Sequence, residues 1–243
     1  MIYGRWLILI VELYNEDCLV GMNRIPNASV DMILCDLPYG TTQNKWDTII
    51  PFDKLWLSYK RIIKPNGAIV LNASEPFTSL LVSSNMEMYR YSWVWIKNTP
   101  TGFINAHQQP LKLYEDICVF SNAGVSPSSK NKMTYNPQGL TDFGKVTKRG
   151  SAGKNYNSVS TENFQEKSNY PRNVLTFPKD SKKLHPTQKP VALLEYLIRT
   201  YTNEGEDYDE FDGFTAALAK KIYGSTCAVK REIINKSTKQ EKK

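Results

Sequence analysis

The chain has 243 residues, 41% of them hydrophobic, and carries 31 Lys and Arg against 24 Asp and Glu, a net charge of +7. That length fits one α/β domain with insertions, or two small domains, with ample core, and a mean hydropathy of −0.45 is that of a soluble globular protein. A pI near 9.1 favours an anionic partner such as nucleic acid, although the basic end from Lys236 to Lys243, read as a disordered tail, supplies part of the excess.

In chain order, the apolar run at residues 6–11 is too short to span a bilayer and lacks a small-residue cleavage site. It reads as an extension leading into a strand at 11–14, with a signal peptide as the alternative. A helical turn is expected over 18–24 and a buried strand over 30–35. Apolar residues Phe52, Leu55, Trp56, Tyr59, Ile62 and Ile63 have the spacing of an amphipathic helix. Lys64-Pro65-Asn66-Gly67 then makes a turn before a strand at 68–71. Strand, helix, turn, strand is the repeating unit of a parallel sheet. A helix at 76–82 and strands at 89–97 and 114–120 follow, the last deep in the sheet, with Trp93 and Trp95 read as core.

From about 121 to 180 the composition shifts to Ser, Asn, Lys, Gly and Thr, and periodicity fades. Lys130, Lys132, Lys145, Lys148, Arg149 and Lys154 interleave with scattered aromatics, a pattern that suits phosphate contact and base stacking; the alternative is a solvated, flexible insert. A helix over 190–201 begins at Pro190, its apolar face formed by Val191, Leu194, Leu197 and Ile198. The 4 cysteines, Cys18, Cys35, Cys118 and Cys227, lie far apart without metal-ligand spacing, and only His107 and His185 could assist them. They read as reduced thiols in a cytosolic protein, and no metal site is expected.

Two short segments carry chemistry. Asp36-Leu37-Pro38-Tyr39 follows the 30–35 strand, so its carboxylate sits at a strand's carboxyl end, where α/β sheets bind ligands. Pro38 fixes its own φ and biases Leu37 toward extended backbone, which holds the nearby carbonyls in one direction. Two fixed acceptors and an aromatic face suit gripping a planar amine, while the competing reading is an ordinary turn. The second segment, His185-Pro186-Thr187-Gln188-Lys189-Pro190, crowds a hydroxyl, an amide and an ammonium against a helix start. A small carboxylate could be held there; alternatively the segment is an N-cap with a surface lysine. His185 reads as structural rather than as a general base.

Together, in this order, the two segments resemble the signature pair of the S-adenosylmethionine-dependent DNA amino-methyltransferases of the permuted β class. The resemblance spans roughly residues 11 to 205. It implies a Rossmann-like α/β methyltransferase sheet with circularly permuted motif order. The catalytic half would be 1–120, a target-recognition insert 121–180, a cofactor-binding half 181–235, and the tail 236–243. It also implies S-adenosylmethionine as cofactor, double-stranded DNA as partner, no membrane, and a bacterial or phage-infected cytoplasm. Asp36 and the Pro38 carbonyl would accept the target amino protons and Tyr39 would stack on a flipped base. Asp17 would approach the cofactor's adenine, and Thr187 and Lys189 its methionine carboxylate.

After the helix the family's Asp-x-Phe-x-Gly-Ser-Gly loop is matched only by Asp209, Phe211 and Gly213. The second glycine is missing, and the acidic stretch from Glu204 to Asp212 is poor strand material. A helix over 216–222 and a short strand over 227–229 would follow. Glu232 matches the ribose-binding acidic position after a register adjustment. Either the cofactor loop is divergent yet serviceable, or the chain is a weak or inactive DNA-binding homologue. Asp36, where serine is common in cytosine-N4 enzymes, favours adenine N6 over cytosine N4 as target. Carbon-5 methylation is disfavoured because no Pro-Cys pair occurs.

Overall fold

The computed structural model describes residues 7–13, 17–43, 47–148, 162–181, 188–203 and 229–235. The predicted helical turn is α1 (Cys18–Gly21), continued to Arg24 by a single 3₁₀ turn and capped by the Asp17 side chain, which accepts from Leu19 N–H at 2.8 Å. β2 (Val30–Asp36) is buried at every position but the last. That is why its sequence is a continuous apolar run rather than an alternating one. α2 (Phe52–Ile62) buries Leu55, Trp56, Tyr59 and Ile62, and β3 (Ile63–Ala73) returns parallel to β2.

The expected turn at 64–67 lies inside β3. Val30 pairs with Ile63 but Met32 with Ala68, so Lys64 to Gly67 bow out as an irregularity in the ladder. Lys64 pairs there with Asp31, and a Cβ on Gly67 would stand 2.7 Å from the Asp31 carbonyl oxygen. Pro and Gly mark this bulge as strongly as they would mark a turn.

After α3 (Phe77–Ser84), the hairpin of β4 (Tyr89–Thr101) and β5 (Lys112–Phe120) brings β5 between β3 and β4, antiparallel to both. Ile117 to Phe120 are wholly buried, which bears out the central placement. β8 (Val174–Thr176) adds a parallel edge strand beside β4. The sheet therefore runs β2-β3-β5-β4-β8 and is mixed rather than purely parallel. Trp93 and Trp95 are core residues. They also hold neighbouring segments: Trp93 Nε1 donates to the hydroxyl of Tyr201 at the end of α4 (Val191–Tyr201), and Trp95 Nε1 to the Phe177 carbonyl.

Residues 137–172 form a second compact unit, within the stretch expected to lack regular elements. It contains an antiparallel hairpin, β6 (Thr141–Lys148) and β7 (Glu162–Ser168). Its strands are rich in polar residues and expose Val146 and Phe164, so no buried face impressed a period-2 apolar pattern on the sequence. Of the six basic residues singled out, Lys145 and Lys148 lie on β6, Lys130 and Lys132 precede this unit, and Arg149 and Lys154 fall outside the described residues.

The N-terminal apolar run is itself strand. β1 (Leu7–Leu13) pairs along its length with β9 (Val229–Asn235), antiparallel. The strand thus begins four positions before residue 11, as its run of Leu, Ile and Val permits. Glu232 lies on β9 opposite Ile10. The helix expected at 216–222 and the tail from 236 fall outside the described residues.

Gly67→Ala is expected to lower stability by about 1–3 kcal/mol, because the added methyl meets backbone that cannot yield cheaply. A lower urea midpoint with an unchanged m value would register it.

Candidate active site

Asp36 is the last residue of β2, and the buried Leu37 and Pro38 carry the chain on to Tyr39. The Tyr39 hydroxyl reaches back to donate to Asp36 Oδ1 at 2.9 Å. Its ring stacks on Phe77 of α3, centroids 5.1 Å apart and planes 24° from parallel. Burial first, and then the negative charges of Asp36 and Glu115, push the phenol well above its ordinary pKa, so it remains a donor. Asp36, Leu37 and Tyr39 line a cavity of about 250 Å³ whose other walls include Trp95, Lys97, Thr101, Glu115, Lys179 and Lys189. That lies near the small end of ligand-pocket volumes and suits a small planar group.

The floor of the site is a chain of alternating charges. Lys189 Nζ lies 3.1 Å from each Asp36 carboxylate oxygen and 3.1 Å from Glu115 Oε2. Glu115 Oε1 in turn stands 3.4 Å from Lys97 Nζ, which also donates to Thr101 Oγ1. Lys97 and Lys189 are only 5% and 8% exposed, so each is viable as a cation only between such partners. Burial favours losing the Lys189 proton, but Asp36 and Glu115 outweigh it and hold the ammonium above the usual lysine range. Lys189 also lies 5.8 Å from the centroid of the Tyr39 ring.

The loop after Tyr39 is fixed by Asp47, itself 8% exposed. Its carboxylate accepts from the backbone N–H groups of Gly40, Thr41 and Thr42 at 2.9, 3.0 and 2.7 Å. Gly40 takes φ +68°, where a side chain would be strained. Burial opposes ionisation of Asp47, but the hydrogen bonds from Thr42, Gly40 and Thr41 prevail and lower its pKa.

The second predicted segment is only partly described: His185 and Thr187 fall outside the described residues, while Gln188, Lys189 and Pro190 precede α4. Here the reading of Lys189 as a surface lysine needs correction. The acceptor at the helix start is the protein's own Asp180, which takes bonds from Val191 N–H at 3.2 Å and Gln188 Nε2 at 3.0 Å. Lys189 is not a surface lysine; it points at Asp36 and Glu115. Asp17, at the start of α1, caps that helix. Asp209, Phe211 and Gly213 lie outside the described residues. Sequence alone assigns no role to Phe77, Lys97, Glu115, Asp47 or Asp180. One signal was legible: Trp93, Trp95 and Lys97 share one strand face by period-2 alternation, so Lys97 had to be buried and paired.

Residues 30–229 match the model of the N6/N4 DNA methylase family. The chain is 26% identical over 209 residues to the type II methyltransferase M.HpaI of Haemophilus parainfluenzae, covering 80% of this chain and 61% of that one. To the DNA adenine methyltransferase YhdJ of Escherichia coli K12 it is 27% identical over 212 residues, covering 80% and 68%. It thus spans about three-fifths to two-thirds of the length of the curated relatives it matches. In fold it is similar to the PvuII cytosine-N4-specific DNA methyltransferase, with a TM-score of 0.52 at 11% identity over 86% of this chain and 77% of that one.

Asp47→Ala strands three backbone donors and is expected to cost about 2 kcal/mol at neutral pH. Because the folded pKa of Asp47 is depressed, its contribution is whole above the unfolded aspartate value of about 3.9 and fades as pH falls through the folded value. Urea midpoints measured at a series of pH values should therefore separate wild type from variant at pH 6 and converge well below about pH 4.

Proposed function

The chain belongs to the N6/N4 DNA methylase family, and we propose that within it the chain transfers a methyl group from S-adenosylmethionine to the N6 amine of adenine in double-stranded DNA. The target nucleotide is swung out of the helix, since the base stack hides its amine. The observation that carries this reading is the placement of Asp36 and Tyr39 in one cavity, with the carboxylate held by the Tyr39 hydroxyl and the Lys189 ammonium.

Asp36 accepts the protons of the target amine and turns its lone pair toward the methyl donor. The Pro38 carbonyl, on a buried and rigid residue, is the second acceptor. Tyr39, backed by Phe77, offers a firm surface for the base to stack on. S-adenosylmethionine, when bound, supplies a methyl group on a positively charged sulfur that leaves as a neutral thioether. As the new N–C bond forms, the amine must shed one proton, and Asp36 is the acceptor nearest to take it. Lys189 is shared between Asp36 and Glu115, so it holds the Asp36 carboxylate in position before the amine arrives.

The donor set fits the cofactor. Trp95 gives an aromatic wall, and Lys179 a cation that suits a carboxylate. Asp17, Thr187, Lys189, Asp209, Phe211, Gly213 and Glu232 are the residues proposed to hold it. Residues 121–180 are proposed to read the target sequence, and the 137–172 hairpin unit lies within them. Adenine is preferred to cytosine because the tetrapeptide opens with Asp36, and because a relative covering four-fifths of this chain is named an adenine methyltransferase.

Purified chain incubated with unmethylated λ DNA and tritiated S-adenosylmethionine should label the DNA, and nucleoside mass spectrometry should find N6-methyladenine. Asp36→Ala should cut the rate by about 10²–10³ or more. N4-methylcytosine in its place would move the target. Absence of calorimetric binding at millimolar S-adenosylmethionine would sink the active-enzyme reading.

A further inference from the structure

Between β4 and β5 the chain makes a projecting tip in which every residue from 101 to 110 is exposed. It presents Phe103 at 65% and Ile104 at 96% exposure. Such apolar side chains ordinarily fold back onto a core, yet here a built turn holds them outward. Gly102 takes φ +93°, and Asn105 N–H donates to its carbonyl at 3.0 Å. Ala106 N–H bonds the Phe103 carbonyl at 3.2 Å, while Gln108 and Gln109 N–H share the Asn105 carbonyl at 2.9 and 3.0 Å.

The tip is continuous with the site. Thr101, at its base, lines the Asp36 cavity, so Phe103 and Ile104 stand two and three residues from that wall. At up to about 3.6 Å per residue they lie within about 7–11 Å of it, the span of two or three base-pair steps. From Asn98 to Tyr114 there is no acidic residue, while Asn105, Gln108 and Gln109 offer amides and Lys112 a cation. A polyanion with exposed base edges is compatible with every one of these groups. A nucleotide that leaves the stack opens a gap, and inserted apolar side chains are a known way to fill one.

We propose that the β4–β5 tip, through Phe103 and Ile104, enters duplex DNA and occupies the gap left by the target nucleotide as that nucleotide swings into the Asp36 cavity. This rests on the methyltransferase reading. Sequencing λ DNA methylated by the wild-type chain fixes the target site, and a duplex carrying 2-aminopurine there reports flipping by its fluorescence. Wild type should raise that fluorescence. The double variant Phe103→Ala/Ile104→Ala, which alters exposed side chains only, should lose the rise and slow methyl transfer at least about tenfold. A duplex in which the target faces an abasic position should largely restore transfer. A variant that flips and methylates like wild type overturns the inference and leaves the methyltransferase reading standing. A wild-type dimer that the substitutions turn into monomer in sedimentation overturns it in favour of self-association. Wild-type protein that methylates no DNA removes the reading and this inference together.

Discussion

The ammonium of Lys189 is the contact on which the rest of the site depends. It stands just before α4, yet its three nearest oxygens belong to the end of β2 and to β5. One side chain therefore ties the helix start to two strands that are not neighbours in the sheet. Four charges, Lys97, Glu115, Lys189 and Asp36, alternate in sign along this line. Each is tolerable inside the protein because of the next, since an unpaired buried charge costs several kcal/mol or more. Loss of Lys189 would leave Asp36 and Glu115 without the cation they share. The Asp36 carboxylate is thus held in place by the fold itself.

Around that charge the apolar contacts supply rigidity. Tyr39 is clamped at both ends, its hydroxyl on Asp36 and its ring on Phe77. Asp47 then fixes the backbone immediately downstream by filling three donors with one carboxylate. A loop so held loses little further entropy when a ligand arrives, which is where binding energy is usually spent. At the far end of α4, Tyr201 meets the indole of Trp93 and the hydroxyl of Tyr91. The helix is therefore anchored at its last turn by β4 and at its first by Asp180, and Lys189 inherits that stiffness.

The local elements around Asp36 were legible because they are governed by burial. A short continuous apolar run suits an interior strand, and the α2 pattern has one apolar face. The position of the tetrapeptide at 36–39 was legible because it follows directly on that run, and Asp36 does end β2. What sequence left out was pairing across distance. Nothing local says that Lys189 meets Asp36 and Glu115, since those partners lie on other elements. The helix start invited an anion, and the protein satisfied it from its own chain with Asp180. Bulge and turn share the same residues, so Lys64 to Gly67 could not be told apart by composition. The 141–168 hairpin escaped because its polar strands bury no face that would leave a periodic trace.

β4 connects these observations. Its inward face carries Trp93, Trp95 and Lys97, which contribute core, cavity wall and charge chain in turn. Thr101 then accepts from Lys97 Nζ at 3.3 Å and donates to the Lys112 carbonyl at 3.4 Å, so the base of the exposed tip is bonded to the buried cation. Because Lys97 holds Glu115 and Glu115 holds Lys189, a line of five polar contacts runs from the Lys112 carbonyl to Asp36. A packed interior transmits displacement in place of absorbing it. The base of the exposed tip and the Asp36 carboxylate lie on one line of polar contacts, most of it buried.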